Sequence, residues 1–183
     1  MPELMHVALD YTTLGLSPVA LEAGPLVLRW YSLAYIAGIL FSWWYLIRMI
    51  ARGDAPYTKA QVDDFITWAT LGVILGGRIA YVLFYDLPKF VADPVSILYL
   101  WEGGMSFHGG AAGVIIAVML YANSQNISKL RLLDYVAVTT PVGLFFGRLA
   151  NFVNGELWGR TTTASWGMIF PGAGPLPRHP SQL

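Results

Sequence analysis

One uncharged run decides the fold class: WYSLAYIAGILFSWWYLI, residues 30–47. Eighteen residues without a charge are long enough, when helical, to cross the hydrocarbon core of a bilayer. Tryptophan and tyrosine lie near both ends of the run, which is typical of the two membrane–water interfaces. The run therefore predicts a transmembrane helix.

The composition of the whole chain agrees with this prediction. Of the 183 residues, 56% are hydrophobic and only 12% are charged, about half the charged fraction of a soluble domain. Eleven basic residues balance eleven acidic ones, so no charge surplus points to nucleic acid as a partner. We predict an integral membrane protein.

Uninterrupted apolar segments predict four transmembrane spans. They cover about residues 26–47, 62–85, 105–122 and 132–153, and a polar tail rich in glycine and proline follows at 155–183. A shorter apolar piece, Val95 to Trp101, is too short to span and is a candidate for the membrane interface. The predicted fold class is all-α, a polytopic membrane helical bundle that forms one transmembrane domain over residues 1–183.

The basic residues predict the orientation of these spans. The loops after the first and third spans hold five of them, whereas the loop after the second span holds only Lys89 and the tail adds Arg160 and Arg178; the five are Arg48, Arg52, Lys59, Lys129 and Arg131. By the positive-inside rule both termini then lie on the outer side of the membrane. Glu3 and Asp10 stand where a cleaved signal peptide would be basic, so we expect the first span to be retained.

The chain contains no cysteine. A disulfide framework and a zinc thiolate site are therefore excluded, and any thiol chemistry must use a thiol that a substrate brings. We predict neither a metal ion nor a cofactor.

Three pairs of glycines are spaced four residues apart on three different spans. Such pairs let a neighbouring helix backbone approach closely and favour a packed bundle, without indicating a function. The pairs are Gly72 with Gly76, Gly109 with Gly113, and Gly143 with Gly147.

Two arginines lie inside predicted spans, Arg78 in the second and Arg148 in the fourth. A charge at that depth costs several kcal/mol unless it faces a protein interior, a partner or a bound anion, so each is a candidate functional residue. The alternative is that their long side chains reach the headgroup layer, because both lie toward the outer ends of their spans.

The run GRLANFVNGELWGR, residues 147–160, is the densest polar stretch beside a span. On a helix Arg148, Asn151 and Asn154 share one side. The Asn154-Gly155 pair suits a helix end, from which Glu156 could fold back toward Arg148. A cap at Asn154 and Gly155 followed by a solvated Glu156 is the plainer interpretation, but it does not explain two polar residues inside the span.

His108, in MSFHGGAAG, is the lone titratable group at the head of the third span. A lone histidine is more often a hydrogen-bonded structural residue than a catalyst. The predicted orientation nevertheless puts it near the outer face, together with Tyr31, Arg78, Arg148, Asn151 and Glu156. We therefore predict a polar cavity that opens at the outer leaflet, where a phosphodiester headgroup is the available anion.

Six stretches resemble the phosphatidylglycerol:prolipoprotein diacylglyceryl transferase family, in order and across nearly the whole chain. The stretch at 147–160 is similar to the specific signature of that family. The six are WYSLAYIAG (30–38), GGRIAYVLFYD (76–86), WEGGMSFHGG (101–110), GRLANFVNGELWGR (147–160), WGMIFP (166–171) and PRHPSQL (177–183).

The resemblance implies a reaction and its partners. The sn-1,2-diacylglyceryl group of phosphatidylglycerol would move to the lipobox cysteine thiol of a preprolipoprotein, forming a thioether and releasing glycerol phosphate. The enzyme would lie in the bacterial inner membrane, in contact with membrane lipid, with its site facing the outer leaflet. A nucleophile brought by the substrate fits the absence of cysteine from this chain.

The resemblance also implies roles for residues. His108 would take the thiol proton, with Glu156 and Tyr31 as alternatives, and Arg148 would stabilise the departing phosphate. Binding of phosphatidylglycerol would fall to Arg148, Asn151, Asn154, Gly159, Arg160 and Arg78. Within that set Asn151 and Asn154 would hold headgroup or ester oxygens, Gly159 would serve backbone geometry, and Arg160 would meet either phosphate or solvent.

One departure from the family pattern concerns length. Members of the family continue beyond PSQL with an acidic run, further transmembrane helices and another arginine, whereas this sequence stops at Leu183. We expect the sequence to be truncated. Two rival interpretations stay open, a polytopic transporter and a non-catalytic membrane fragment.

Overall fold

A computed structural model describes residues 8–24 and 26–183, apart from the side chains of Leu26 and Glu102. Glu3 lies outside the described residues. The chain is mostly helical, which confirms the predicted fold class. Five helices are α1 (Trp30–Ala51), α2 (Lys59–Phe84), α3 (Leu87–Ala92), α4 (Phe107–Ser124) and α5 (Lys129–Val153). Within the described part of the chain, every helix except α3 is long and apolar enough to cross a membrane.

Short strands accompany the helices. β1 (Leu9–Asp10) pairs in parallel with β4 (Met168–Ile169), whereas β2 (Val19–Ala23) pairs antiparallel with β3 (Leu26–Arg29). The first span is predicted from about residue 26, whereas residues 26–29 form a strand. Leu26, Val27 and Leu28 are apolar enough to continue the span, but the backbone of residues 26–29 pairs with β2 and the helix begins at Trp30.

Capping explains why three helices begin away from their predicted starts. Thr58 and Gln61 form a capping box that starts α2 at Lys59, and Ser106 accepts a hydrogen bond from the amide of Gly109 and so starts α4 at Phe107. The hydroxyl of Ser128 accepts from the amide of Arg131 at the start of α5. Each cap satisfies amides that the first helical turn leaves without a partner.

The chain divides into two compact units, the first formed by residues 1–40 and 140–183 and the second by residues 41–139. In the second unit Tyr121 is 2% exposed and donates to the carbonyl oxygen of Gln61 over 2.7 Å. It lies in an apolar core with Phe65, Val118 and Leu132.

Helices α2 and α4 pack closely inside the second unit. A Cβ added at Gly72 would lie 2.6 Å from the carbonyl oxygen of Gly113. A Cβ added at Gly76 would overlap the carbonyl oxygen of Gly109. Two of the predicted glycine pairs therefore do allow backbone contact. The third pair differs, because a Cβ added at Gly143 or Gly147 would meet nothing within 4 Å.

In the first unit the segment that follows α5 is folded around an aromatic core. Tyr11, Met168 and Phe170 are buried there, and Phe152 and Trp158 pack against them. The hydroxyl of Tyr11 donates to the carbonyl oxygen of Val153 over 2.7 Å. This bond joins the amino-terminal segment to the end of α5.

Candidate functional site

The helix end at Asn154-Gly155 is the local structure on which the site depends. The amide of Gly155 donates to the carbonyl of Phe152 over 2.9 Å, and the amide of Glu156 donates to that of Asn151 over 3.0 Å. Gly155 has φ +66°, the left-handed conformation that glycine adopts without strain. The predicted helix end is therefore confirmed, and the turn returns Glu156 to the last turn of α5.

Two amides converge on one carboxylate oxygen at this turn. Oε1 of Glu156 accepts from Nδ2 of Asn151 over 3.1 Å and from Nδ2 of Asn154 over 3.0 Å. Asn151 is only 5% exposed. Because an ionised carboxylate can only accept, it fixes the orientation of both amides.

The expected contact between Glu156 and Arg148 takes a different form. No hydrogen bond or ion pair between these two side chains is recorded among the described residues, because the carboxylate serves the two asparagines. Nη2 of Arg148 instead donates to the backbone carbonyl oxygen of Ser181 over 2.6 Å. This is the one hydrogen bond that the guanidinium makes within the described part of the chain, so most of its five N–H donors are available to an anion.

The segment 177–183 completes this cluster. Gln182 is 4% exposed, and its Nε2 donates to the backbone carbonyl of Glu156. The amide of Gly159 donates to the carbonyl of His179 over 2.9 Å. A Cβ at Gly159 would lie 3.0 Å from that same carbonyl oxygen, so the close approach favours glycine, in agreement with its predicted role in backbone geometry.

Ser181 and Gln182 have no predicted role. Their only signal was the stretch PRHPSQL, and neither residue type stands out by charge or reactivity. Arg160 has an exposed side chain, and its backbone carbonyl accepts from the amide of His179 over 3.0 Å. Whether its guanidinium meets phosphate or solvent stays a prediction.

Arg78, in the second unit, is surrounded by backbone carbonyls. It is 5% exposed and donates five hydrogen bonds to oxygens of the loop that joins α3 to α4. Nε binds the carbonyl of Ile97 (2.8 Å), Nη1 those of Gly103 (2.6 Å) and Gly104 (3.0 Å), and Nη2 those of Ser96 (2.6 Å) and Tyr99 (3.4 Å). The loop therefore encloses the side chain, and whether Arg78 lies at the headgroup layer or contacts a lipid phosphate stays a prediction.

His108 and Tyr31 lie in the first turns of their helices. The exposed imidazole of His108 has its ring centre 5.8 Å from that of Phe107, and no hydrogen bond to it is recorded among the described residues. Tyr31 has its ring centre 5.5 Å from that of Tyr35. The roles of both residues in proton transfer stay predictions.

The predicted residues are divided between the two units. The first unit contains Tyr31, Arg148, Asn151, Asn154, Glu156, Gly159 and Arg160, and the second contains Arg78 and His108. Hydrogen bonds join Asn151, Asn154 and Glu156 directly. A polar cavity shared by all of them stays a prediction. In the described parts of the chain, no three His, Asp or Glu side chains lie together as metal ligands would.

An apolar cavity of about 430 Å³ lies within the first unit. Its walls come from the first two turns of α1 and the last two turns of α5, and they are formed by Trp30, Leu33, Ala34, Ala37, Phe146, Leu149, Ala150, Phe152 and Val153. Its volume falls within the usual range for sites that bind small molecules. Asn151 interrupts this apolar run of α5 with a polar group, and Asn154 follows directly after the helix.

The chain is similar to proteins of one known family. The family model for prolipoprotein diacylglyceryl transferase matches residues 18–183. Proteins named phosphatidylglycerol–prolipoprotein diacylglyceryl transferase are similar to this chain in Rhodospirillum rubrum (55% identical over 172 residues) and Rhizobium leguminosarum bv. trifolii (53% over 174 residues). Each alignment covers 92% of this chain and 62% of the relative, so the chain spans somewhat less than two thirds of the length of these relatives.

Proposed function

This chain belongs to the prolipoprotein diacylglyceryl transferase family, and from that premise we propose that it transfers a diacylglyceryl group from phosphatidylglycerol to a protein thiol. The acceptor is the lipobox cysteine of a preprolipoprotein. A carbon–sulfur bond forms, the carbon–oxygen bond to phosphate breaks, and glycerol phosphate leaves. The thiol proton passes to a base on the enzyme.

One observation carries the proposal: the family match includes the run 147–160, in which Arg148 has unused donors next to the Asn151, Asn154 and Glu156 cluster. A guanidinium binds phosphate through two parallel hydrogen bonds, which gives both strength and orientation. Its single contact with the carbonyl of Ser181 holds the side chain without neutralising it. This arrangement supports Arg148 as the group that meets the lipid phosphate.

Arg148 would also lower the barrier of the transfer. Negative charge grows on the phosphate as the carbon–oxygen bond breaks, and a cation positioned beforehand stabilises that charge most strongly where water is excluded. The apolar walls beside it support such exclusion.

The two asparagines bind substrate oxygens in this proposal. Each amide has one N–H donor committed to Glu156 and a second that can meet a headgroup or ester oxygen. Glu156 then orients the two amides and does not need to touch the substrate. Its structural role is supported by the buried position of Asn151.

His108 is the proposed base. A cysteine thiol has an ordinary pKa of about 8.5, so a base or a positive field must favour the thiolate at neutral pH. Glu156 is a weaker alternative because its carboxylate oxygen already accepts hydrogen bonds from Asn151 and Asn154. Tyr31 remains the second alternative.

We propose that the apolar cavity lined by α1 and α5 receives an acyl chain of the lipid. Its walls contain only apolar side chains, which suits a hydrocarbon tail. With the predicted orientation, the site would face the outer leaflet of the inner membrane, where exported precursors arrive.

The test is transfer of radiolabelled diacylglycerol from phosphatidylglycerol to a lipobox peptide, in membranes that carry this chain. A second preparation joins the chain to the remaining third of the Rhodospirillum rubrum relative. A peptide with serine in place of cysteine and the variant Arg148→Gln are the matched controls. We expect thioether formation in the extended preparation, no product with the serine peptide, and a rate about 10²- to 10³-fold lower in Arg148→Gln. If neither preparation transfers lipid although both accumulate in the membrane, the proposal fails.

A further inference from the structure

The loop between α2 and α4 is folded around the side chain of Arg78. It contains α3 and two short 3-10 turns, at Pro94–Leu98 and Leu100–Glu102. Five backbone carbonyls from Ser96 to Gly104 point at the guanidinium. Turns of this kind leave carbonyls without helical partners, and Arg78 supplies the missing donors.

The geometry uses all the hydrogen-bonding capacity of Arg78. A guanidinium has five N–H donors, and five hydrogen bonds to carbonyl oxygens are formed over 2.6–3.4 Å. The ring of Phe90 covers the group at 5.0 Å. An anion could bind only by displacing these carbonyls. Arg148 differs in this respect, because it has one such bond.

The same loop sets the start of α4. Arg78 donates hydrogen bonds to the carbonyls of Gly103 and Gly104. The carbonyl of Gly77, the residue before Arg78, accepts from the amide of Ser106 over 2.9 Å. Gly104 has φ +81°, and a Cβ there would lie 2.9 Å from Nη1 of Arg78. These contacts fix the chain from Gly103 to Ser106.

Ser106 connects this fixed segment to the first turn of α4. Its hydroxyl accepts from the amide of Gly109 over 3.2 Å and caps the helix. His108 is the second residue of that helix. The position of its backbone, from which the imidazole extends, is therefore tied to the loop that Arg78 holds.

We propose that Arg78 is a positioning residue, which fixes the loop 96–104 and through it His108, and does not bind the lipid headgroup. The part concerning His108 rests on the proposed function. The part concerning the loop does not depend on it. The two parts are tested separately.

The loop is tested by hydrogen–deuterium exchange of the chain in detergent, with Arg78→Lys and Arg78→Gln. Lysine retains the charge but has three donors on one atom. We expect exchange of amides between residues 96 and 106 to rise by about tenfold or more in the glutamine variant and by less in the lysine variant. Arg52→Lys, at an exposed arginine after α1, is the matched control and leaves this exchange unchanged. Unchanged exchange in both Arg78 variants would overturn the proposal.

The link to His108 is tested by the imidazole nitrogen signals of histidine-labelled chain in NMR spectra. We expect Arg78→Lys to shift or broaden the signal of His108 and to leave that of His179 in place. Ser106→Ala, which removes the cap without touching Arg78, should shift His108 while exchange at residues 96–103 stays at its wild-type rate. A His108 signal that neither variant changes would contradict the link.

Transfer kinetics separate positioning from lipid binding. In Arg78→Lys we expect kcat to fall by about 10- to 100-fold, as for a displaced reacting group, with KM for phosphatidylglycerol within about twofold. A KM that rises about tenfold while kcat is retained would assign Arg78 to the headgroup and overturn the proposal. Exchange and NMR require no turnover, so absence of transfer in the wild-type chain would count against the proposed function alone.

Discussion

Nη2 of Arg148 donates a hydrogen bond to the backbone carbonyl oxygen of Ser181 over 2.6 Å. The bond joins the end of α5 to the segment 177–183, which also contacts Glu156 through Gln182. Two stretches that are separated in sequence therefore form one polar cluster. Because the acceptor is a backbone carbonyl, the position of Arg148 depends on the course of the chain at Ser181 and not on the serine hydroxyl.

Replacement of Arg148 should lower the rate of lipid transfer, and the loss should be smaller when the new side chain keeps a positive charge. Arg148→Gln removes the charge, and we expect the transfer rate to fall by about 10²- to 10³-fold, as for loss of a donor to a developing anion. Arg148→Lys retains a point charge and should lose less, about tenfold. The measurement is the initial rate of lipid transfer to a lipobox peptide.

Ser181→Ala is the control for this pair of variants. It keeps the carbonyl that Arg148 contacts and removes only the hydroxyl, which donates to the carbonyl of Leu157 over 3.2 Å. We expect transfer within about threefold of wild type, since an exposed neutral hydrogen bond contributes about 1 kcal/mol or less. A wild-type rate in Arg148→Gln would exclude the proposed role of the guanidinium.

Position 156 should accept a neutral side chain that can accept hydrogen bonds, but not an apolar side chain. Glu156→Gln keeps an oxygen for the amides of Asn151 and Asn154, so we expect the free energy of unfolding to change by less than about 1 kcal/mol. Glu156→Leu leaves both amide donors without that acceptor, at a cost of about 1–3 kcal/mol for each one that stays buried. Thermal unfolding in detergent measures both.

Equal destabilisation in the two Glu156 variants would show that the negative charge, and not the acceptor oxygen, holds the cluster. Asn154→Asp offers a matched comparison. It puts a second carboxylate beside Glu156 and should destabilise by like-charge repulsion, more than Glu156→Gln does.

The helices and the helix end near the site could be predicted from sequence because their causes are local. The apolar runs have the length of a membrane span, and the Asn154-Gly155 pair carries the preference for a helix end. The three-residue spacing of Arg148, Asn151 and Asn154 predicts a shared side of the helix, and Asn154 lies just after the end of α5. Two of these residues do share a partner, Glu156.

The partners of Arg78 and the strand at residues 26–29 could not be predicted. The carbonyls that Arg78 binds lie 18–26 residues further along the chain, and a backbone carbonyl has no residue type by which a sequence could reveal it. Leu26, Val27 and Leu28 are apolar whether they form a strand or a helix, so only pairing with β2 distinguishes a strand from the first turn of α1.

The contact between α2 and α4 should not accept a methyl group at Gly113. A Cβ there would overlap the carbonyl oxygen of Gly72, which as backbone cannot move aside alone. We expect Gly113→Ala to lower the free energy of unfolding by about 1–3 kcal/mol or more. Unfolding midpoints in detergent, with the fraction of monodisperse protein, measure the effect.

Gly147→Ala is the matched control for the glycine contact. Its Cβ meets nothing within 4 Å, and alanine favours a helix interior over glycine by about 0.8–1.0 kcal/mol. We expect unchanged or slightly higher stability. If both alanine variants were equally tolerated, the close packing of α2 on α4 would be contradicted.

The orientation of the chain can be tested with single cysteines, because the sequence contains none of its own. We expect Asp54→Cys and Gln125→Cys, in the loops rich in basic residues, to be protected from a membrane-impermeant maleimide in intact spheroplasts. Asp93→Cys and Ser165→Cys should react. All four positions are exposed in the structure, so protection reports the membrane and not burial in the protein.

The orientation matters because it decides which substrate can reach Arg148. In the proposed function, the cysteine thiol of an exported precursor arrives from the outer side, and His108 and Arg148 could serve it only if α4 begins and α5 ends on that side. Five basic residues lie on the predicted inner side against four on the outer, which are Arg29, Lys89, Arg160 and Arg178, a bias that still favours this orientation. Reaction at Asp54→Cys with protection at Asp93→Cys would reverse the orientation and remove the thiol of an exported protein as the acceptor.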